Sequence, residues 1–124
     1  MDVNCINVIA LAYMGDAIFE VYIRETCIKK GTIKVEELQK KVTSYVSAKG
    51  QAIILDNLLE KKQLTEGEIE IVKRGRNNKR SIHPKHTSLA IYKKATGFET
   101  LIGYLYLSNH IERLKEILEK IEVK

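Results

Sequence analysis

The feature that most constrains the fold is the scarcity of residues that break helices. The 124 residues contain one proline, Pro84, and seven scattered glycines. The long segments between them are rich in Ala, Leu, Ile, Glu and Lys, which favour helices over short strands. Apolar residues make up 44% and charged residues 30% of the chain, as in folded globular proteins. We therefore predict a single all-α domain over residues 1–124, with six to seven helices.

Apolar periodicity and capping residues predict where the helices begin and end. Thr65 and Glu68 have the spacing of a capping box, which starts a helix. The last helix is expected to bury Ile111, Leu114, Leu118 and Ile121, and to pair Glu116 with Lys120 on its outer face. The predicted helices cover 4–29, 34–47, 48–59, 65–76, 87–107 with a possible break at Gly97, and a last one from Ser108 or Asn109. Residues 77–86 are predicted to form a loop.

Charge and cysteine content limit the class of partner and the compartment. The formal charge is +5 and the isoelectric point about 9.2, which favours anionic partners such as nucleic acid. Cys5 and Cys27 have no CxxC spacing, so we interpret them as buried, reduced thiols of a cytoplasmic protein. We expect no export signal, because no basic N-terminal region precedes a signal-like apolar core. The apolar residues 5–23 are interrupted by polar residues, which favours a buried helix over a membrane span.

One carboxylate stands in the most apolar part of the chain. Asp16 is the only charged residue between Cys5 and Phe19. Burying an ionised carboxylate is costly unless a base or a metal ion compensates it. Two interpretations follow: Asp16 pairs with an arginine or caps a helix, or it binds a metal ion.

A second isolated acid has similar surroundings. Glu99 is the only charged residue between Lys94 and His110. Small residues lie near both acids, Gly15 and Ala12 in one helix and Ala95 and Gly103 in the other, and small residues let helices approach closely. Two carboxylates plus water and a phosphate oxygen are the ligands that Mg²⁺ prefers, an arrangement suited to phosphodiester hydrolysis. The alternative is a glutamate that is exposed or paired at a helix edge.

A basic segment, KRGRNNKRSIHPKH, occupies residues 73–86 and contains no acid. Its six basic residues are Lys73, Arg74, Arg76, Lys79, Arg80 and Lys85. This density suits contacts to a phosphate backbone, and the lack of aromatic residues favours A-form duplex RNA over stacked single strands. The alternative is a solvated surface loop.

Four motifs, in order, resemble the ribonuclease III catalytic domain, and most closely the stand-alone Mini-ribonuclease III family. They are LAYMGDAIFEVYIR (11–24), TSYVSAKGQA (43–52), VKRGRN (72–77) and TGFETLIGYLYL (96–107). The resemblance implies a ribonuclease III-like fold, with Asp16 and Glu99 as catalytic, metal-binding residues. Larger ribonuclease III enzymes have two further acids, at the positions of Ile9 and Thr96. Their double-stranded-RNA-binding domain is not expected here, since 17 residues follow Leu107.

The same resemblance implies an activity and a set of partners. It implies a cytoplasmic, Mg²⁺-dependent homodimer that cuts double-stranded RNA, leaves 5′-phosphate and 3′-hydroxyl ends and matures the 23S ribosomal RNA precursor. A large-subunit ribosomal protein is a candidate partner, and no membrane is involved. RNA would be held by Arg74, Arg76, Lys79, Arg80 and Lys85. Because Ile9 and Thr96 replace two acids, the alternative is a non-catalytic RNA-binding or ribosome-assembly module with the same fold.

Overall fold

The computed structural model describes residues 1–78 and 87–124, which form six α-helices after a short 3₁₀ turn at Val3–Cys5. The helices are α1 (Val8–Lys29), α2 (Val35–Val46), α3 (Ala48–Glu60), α4 (Glu66–Arg76), α5 (Leu89–Leu107) and α6 (Ile111–Glu119). The described residues contain no strand. The prediction of an all-α fold is confirmed. Most of the predicted loop over 77–86 lies outside the described residues.

Helix α5 is the centre of the fold because its sequence is apolar on nearly every side. It is contacted by α1, α3, α4 and α6. Phe98 of α5 is fully buried, and its ring meets that of Phe19 of α1 edge to face, with the ring centroids 5.0 Å apart. Such aromatic pairs add to the stability that burial provides. A helix that is apolar all round can be stable only when other helices cover it.

Two glycines bring α1 and α5 into direct backbone contact. A Cβ atom on Gly15 would lie 1.8 Å from the carbonyl oxygen of Glu99, and one on Gly103 would lie 1.9 Å from that of Leu11. No larger residue fits at either point without moving a helix. The predicted close approach of these two helices through small residues is therefore confirmed.

Gly97 has a packing role rather than the predicted role of a helix break. Helix α5 runs without interruption from Leu89 to Leu107. A Cβ on Gly97 would lie 2.8 Å from the carbonyl oxygen of Val72, so the glycine lets α4 approach α5. A glycine that breaks a helix and a glycine that packs against another helix both interrupt the apolar pattern, so the sequence alone does not distinguish them.

Most helix ends agree with the predictions, including Lys29 of α1 and Leu107 of α5, whereas α1 and α6 begin later than predicted. Thr65 and Glu68 form both hydrogen bonds of the capping box. Helix α1 begins at Val8 rather than residue 4, because the Asn7 side chain accepts a hydrogen bond from the backbone N–H of Ile9 and caps the helix. Helix α6 begins later than predicted, because Asn109 has a left-handed backbone with φ of 62°.

Several predictions for single side chains were wrong. Glu116 forms an ion pair with Arg113 at 3.1 Å instead of Lys120. Ile117 is fully buried on the inner face of α6, whereas Ile111 is 36% exposed. Cys27 is buried as predicted, but Cys5 is exposed; both thiols are free. Among the described helices, none is long and apolar enough to cross a membrane.

An ion pair joins α4 to α6. The Arg113 guanidinium donates to both carboxylate oxygens of Glu68, at 2.7 and 2.8 Å, and to the backbone carbonyl of Gln63 at 2.9 Å. The hydrogen bond from Arg113 lowers the pKa of the Glu68 carboxyl. Because Glu68 also closes the capping box of α4, one arginine fixes both the start of α4 and the position of α6.

Candidate active site

Asp16 and Glu99 lie in one cleft, where α1 crosses α5. Gly15 precedes Asp16 and contacts the backbone of Glu99, so the glycine contact brings the two acids together. The cleft has a volume of about 330 Å³. Its lining is Ile9, Ala12, Tyr13, Asp16, Val46, Ala48, Gln51, Tyr92, Ala95, Thr96 and Glu99. Asp16 is exposed and Glu99 is partly buried.

Neither of the two acids is neutralised by a basic side chain in the described part of the chain. Among residues 1–78 and 87–124, neither Asp16 nor Glu99 forms an ion pair with an arginine or lysine. Burial, and then the neighbouring Asp16 carboxyl, raise the pKa of Glu99 to about 9. A carboxyl with this pKa keeps its proton at neutral pH until a cation takes its place. The arginine-pairing interpretation of Asp16 does not hold within the described residues.

The donor set of the cleft suits a hard divalent cation. Carboxylate oxygens are the ligands of Mg²⁺, which commonly binds one or two protein carboxylates and keeps several waters. The described residues contain no group of three or more His, Cys, Asp or Glu that could hold a metal ion. Asp16 and Glu99 are the two carboxylates that line this cleft.

Ile9 and Thr96 also line the cleft, as expected for residues at the positions of the two missing acids. Ile9 is 39% exposed. The Thr96 hydroxyl is buried and donates to the backbone carbonyl of Tyr92 at 3.0 Å, so its proton is already used within α5. Neither residue adds a negative charge to the cleft.

Gln51 is a site residue that the sequence analysis missed. It is 1% exposed, and its Nε2 donates to Glu99 Oε2 at 3.2 Å and to the Val46 carbonyl at 3.0 Å. A polar residue directly before the apolar run Ala52–Leu55 was the available signal. The pattern could not show that this amide faces a residue 48 positions later.

The basic segment begins beside the cleft. Arg74 and Arg76 are in the last turn of α4. Arg76 is partly buried and shares a small recess with Ile9 and Thr96, which places it at the rim of the cleft, while Arg74 is exposed. Lys73 lies 3.6 Å from Glu70 in an ion pair. The other predicted RNA-binding residues, Lys79, Arg80 and Lys85, lie outside the described residues.

Comparison with known proteins identifies the family. The model of the Ribonuclease III domain matches residues 9–110. Mini-ribonuclease 3 of Streptococcus pneumoniae is 44% identical over 98% of this chain and 98% of its own length. The chain belongs to the Mini-ribonuclease 3 family. Mini-ribonuclease 3 of Enterococcus faecalis is 44% identical, over 94% of this chain and 89% of its own length. Mini-ribonuclease 3 of Staphylococcus aureus is 40% identical, over 96% of this chain and 89% of its own length.

A solved structure has the same fold as this chain. A crystal structure of a Fusobacterium nucleatum protein superposes with a TM-score of 0.82 and 31% identity, covering 95% of this chain and 93% of that one. The resemblance drawn from the four motifs is confirmed.

Proposed function

We propose that this chain is a Mg²⁺-dependent endoribonuclease that cuts double-stranded RNA in the cleft formed by Asp16 and Glu99. Family membership supports the enzyme class, a double-strand-specific endoribonuclease. The observation that carries the proposal is the geometry of the cleft. Two acids from α1 and α5 lie side by side, and within the described residues no basic side chain neutralises them.

The residues of the cleft fit the proposed ion and divide its binding between two helices. Asp16 and Glu99 would hold Mg²⁺, which when bound lowers the pKa of water and offsets negative charge on phosphate oxygens. Asp16 is exposed and would meet the ion from the solvent side, whereas Glu99 is held from behind by Gln51. Because burial raises the pKa of Glu99 to about 9, binding of the ion at neutral pH would release a proton.

The catalytic part of the proposal is tested by removing one carboxylate at a time. We expect Asp16→Asn and Glu99→Gln each to abolish cleavage of duplex RNA in Mg²⁺ while the circular dichroism spectrum is unchanged. Asp56→Asn is the matched control, since Asp56 is an exposed aspartate of α3 that pairs with Lys94. Near-normal cleavage by Asp16→Asn would refute the proposal.

RNA is proposed to bind along the basic segment that begins at the rim of the cleft. Arg74 and Arg76 have no ion pair with a described residue, so both guanidinium groups can meet phosphates. Lys79, Arg80 and Lys85 extend the same segment in sequence. We expect the double variant Arg74→Ala, Arg76→Ala to weaken binding and to reduce the slope of log K against log salt by about one per lost phosphate contact.

The control for RNA binding is a lysine remote from the segment. Lys115→Ala removes an exposed cation of α6 and should change neither affinity nor slope. An unchanged slope in the Arg74, Arg76 double variant would show that the segment is only solvated. We propose that residues 1–124 form one catalytic domain that binds duplex RNA through this surface.

A homodimer is proposed through the outer face of α1. Tyr13, Val21 and Ile28 are 83%, 63% and 51% exposed, and they follow one side of the helix. A twofold contact through this face would place two clefts against the two antiparallel strands of a duplex. We expect Val21→Arg to give a monomer in sedimentation velocity, while Ile53→Arg, which changes another exposed isoleucine on α3, leaves the dimer intact.

We further propose that the substrate is the 23S ribosomal RNA precursor in the bacterial cytoplasm, with products ending in 5′-phosphate and 3′-hydroxyl. The resemblance of the four motifs to the family implies this substrate and these ends, and we propose a large-subunit ribosomal protein as accessory partner on the same ground. The second candidate is a non-catalytic RNA-binding module, which Ile9 and Thr96 favour. A gel assay on duplex RNA in Mg²⁺ and in EDTA separates the two, since only the enzyme cuts, and only in Mg²⁺.

A further inference from the structure

A buried amide stands directly behind one of the two acids of the cleft. Gln51 belongs to the first turn of α3, is 1% exposed, and donates through Nε2 to Glu99 Oε2 and to the Val46 carbonyl. The Val46 carbonyl can only accept a hydrogen bond, so the NH₂ group must face it and the amide cannot be reversed. The orientation of Gln51 is therefore fixed by Val46, independently of the state of Glu99.

The local sequence explains how Gln51 reaches this place. The Ser47 side chain caps α3 by accepting from the N–H of Gly50. A Cβ on Gly50 would lie 2.3 Å from the Ser44 carbonyl oxygen, so only glycine lets α3 start this close to the end of α2. The Gln51 amide is thereby held against the last carbonyl of α2 and pointed at α5. The segment 47–51 builds a support for Glu99.

The oxygen atom of the Gln51 amide differs from the nitrogen in its hydrogen bonding. Within the described residues, Gln51 Oε1 is buried without a hydrogen-bond partner. A buried acceptor without a partner destabilises the fold, and an apolar side chain of similar shape would avoid that cost. A glutamine that only filled space would therefore lower the stability of the fold. The hydrogen bond to Glu99 is what an apolar residue at this position could not supply.

We propose that Gln51 is the positioning residue of the metal site: it holds Glu99 Oε2, so that the other carboxylate oxygen faces Asp16 and the ion. The inference rests on the proposed function of the cleft. Hydrogen bonds behind metal-ligating side chains orient them, and losing one typically weakens metal affinity or activity by about 10–100-fold. Gln51 is 1% exposed and donates to Glu99, so we expect it to act through Glu99 rather than by contact with RNA.

The test measures metal binding by the RNA-free protein, with Mn²⁺ as the probe and the signal of free Mn²⁺ in electron paramagnetic resonance as the readout. Gln51→Met keeps the length of the side chain and removes the donor. We expect it to raise the Kd for Mn²⁺ by about 10–100-fold. In cleavage assays kcat should fall, while the KM for duplex RNA stays within twofold of wild type.

A matched control separates positioning from general loss of stability. Ile54→Ala lies on the same helix, in the core and outside the cleft. It should lower the Tm and leave the Kd for Mn²⁺ unchanged. If Gln51→Met does not fold, Gln51→Asn makes the same test, because its amide is withdrawn from Glu99 by about 1.5 Å, one C–C bond. We expect that variant also to weaken Mn²⁺ binding.

The outcomes distinguish this inference from the proposed function. Gln51 variants that bind Mn²⁺ as tightly as wild type, or that lose affinity only as Ile54→Ala does, would overturn the positioning role while wild type still bound Mn²⁺ and cut RNA. If wild type neither bound Mn²⁺ nor cut duplex RNA, the proposed function itself would fail and this inference with it.

Discussion

The raised pKa of Glu99 predicts that the metal-free protein becomes less stable as pH rises through neutrality. Burial and the Asp16 carboxyl raise the pKa of Glu99 from 4.5 to about 9. Between these two values the folded chain keeps a proton that the unfolded chain has lost. The stability that this proton gives is complete below pH 4.5 and is lost progressively as pH rises toward 9.

The magnitude follows from one proton of difference between the two states. The free energy of unfolding should fall by about 1.4 kcal/mol per pH unit, and hence by about 2–3 kcal/mol between pH 6 and pH 8. Glu99→Gln removes the titrating group and keeps an acceptor for Gln51, so it should abolish this contribution. The comparison uses urea unfolding at both pH values in EDTA, followed by circular dichroism at 222 nm.

The difference between wild type and Glu99→Gln isolates Glu99, because every other residue is the same in both proteins. If both proteins lose equal stability between pH 6 and pH 8, the pKa of Glu99 is not raised and the reasoning about the empty cleft is wrong. Adding Mg²⁺ at pH 8 gives a second check. Wild type should gain about 2.7 kcal/mol at a concentration 100 times its Kd, and Glu99→Gln should gain far less.

Two further predictions concern the fold. Gly103→Ala should lower the free energy of unfolding by about 2–3 kcal/mol in urea titrations, because its Cβ meets a backbone carbonyl. Gly67→Ala should be neutral or stabilising by up to about 1 kcal/mol, because the nearest atom to its Cβ is Thr65 Oγ1 at 4.0 Å. Arg113→Ala should cost about 2–3 kcal/mol by leaving buried Glu68 without its ion pair, whereas Glu116→Ala, which removes the exposed partner of Arg113, should cost about 0.5 kcal/mol or less. Equal effects within either pair would contradict the corresponding contact.

Sequence reasoning found the features of this fold that depend on local pattern. The capping box at Thr65 and the break between α2 and α3 follow from side chains within four residues of one another. The two acids of the cleft were found because a charge in an apolar run is conspicuous. In each case the signal and its cause lie in the same short segment.

The misses depend on contacts between distant segments. Gly97 could have been a break or a close contact, and only the position of Val72 across from it decides. Glu116 could have paired with Lys120, but it pairs with Arg113, which Glu68 of α4 holds in place. Gln51 acquires its role only when α5 brings Glu99 to it. Periodicity within one helix contains no information on these neighbours.

The crossing of α1 and α5 has a consequence for how this protein tolerates change. At Gly15 and Gly103 the backbones of α1 and α5 are in direct contact. The distance between the two acids is therefore set by backbone atoms and not by side chains that could change rotamer. Core substitutions elsewhere can be absorbed by repacking without altering that span. Substitutions in the hydrophobic core should therefore lower the Tm long before they lower kcat. One methyl group added at Gly15 or Gly103 should lower both.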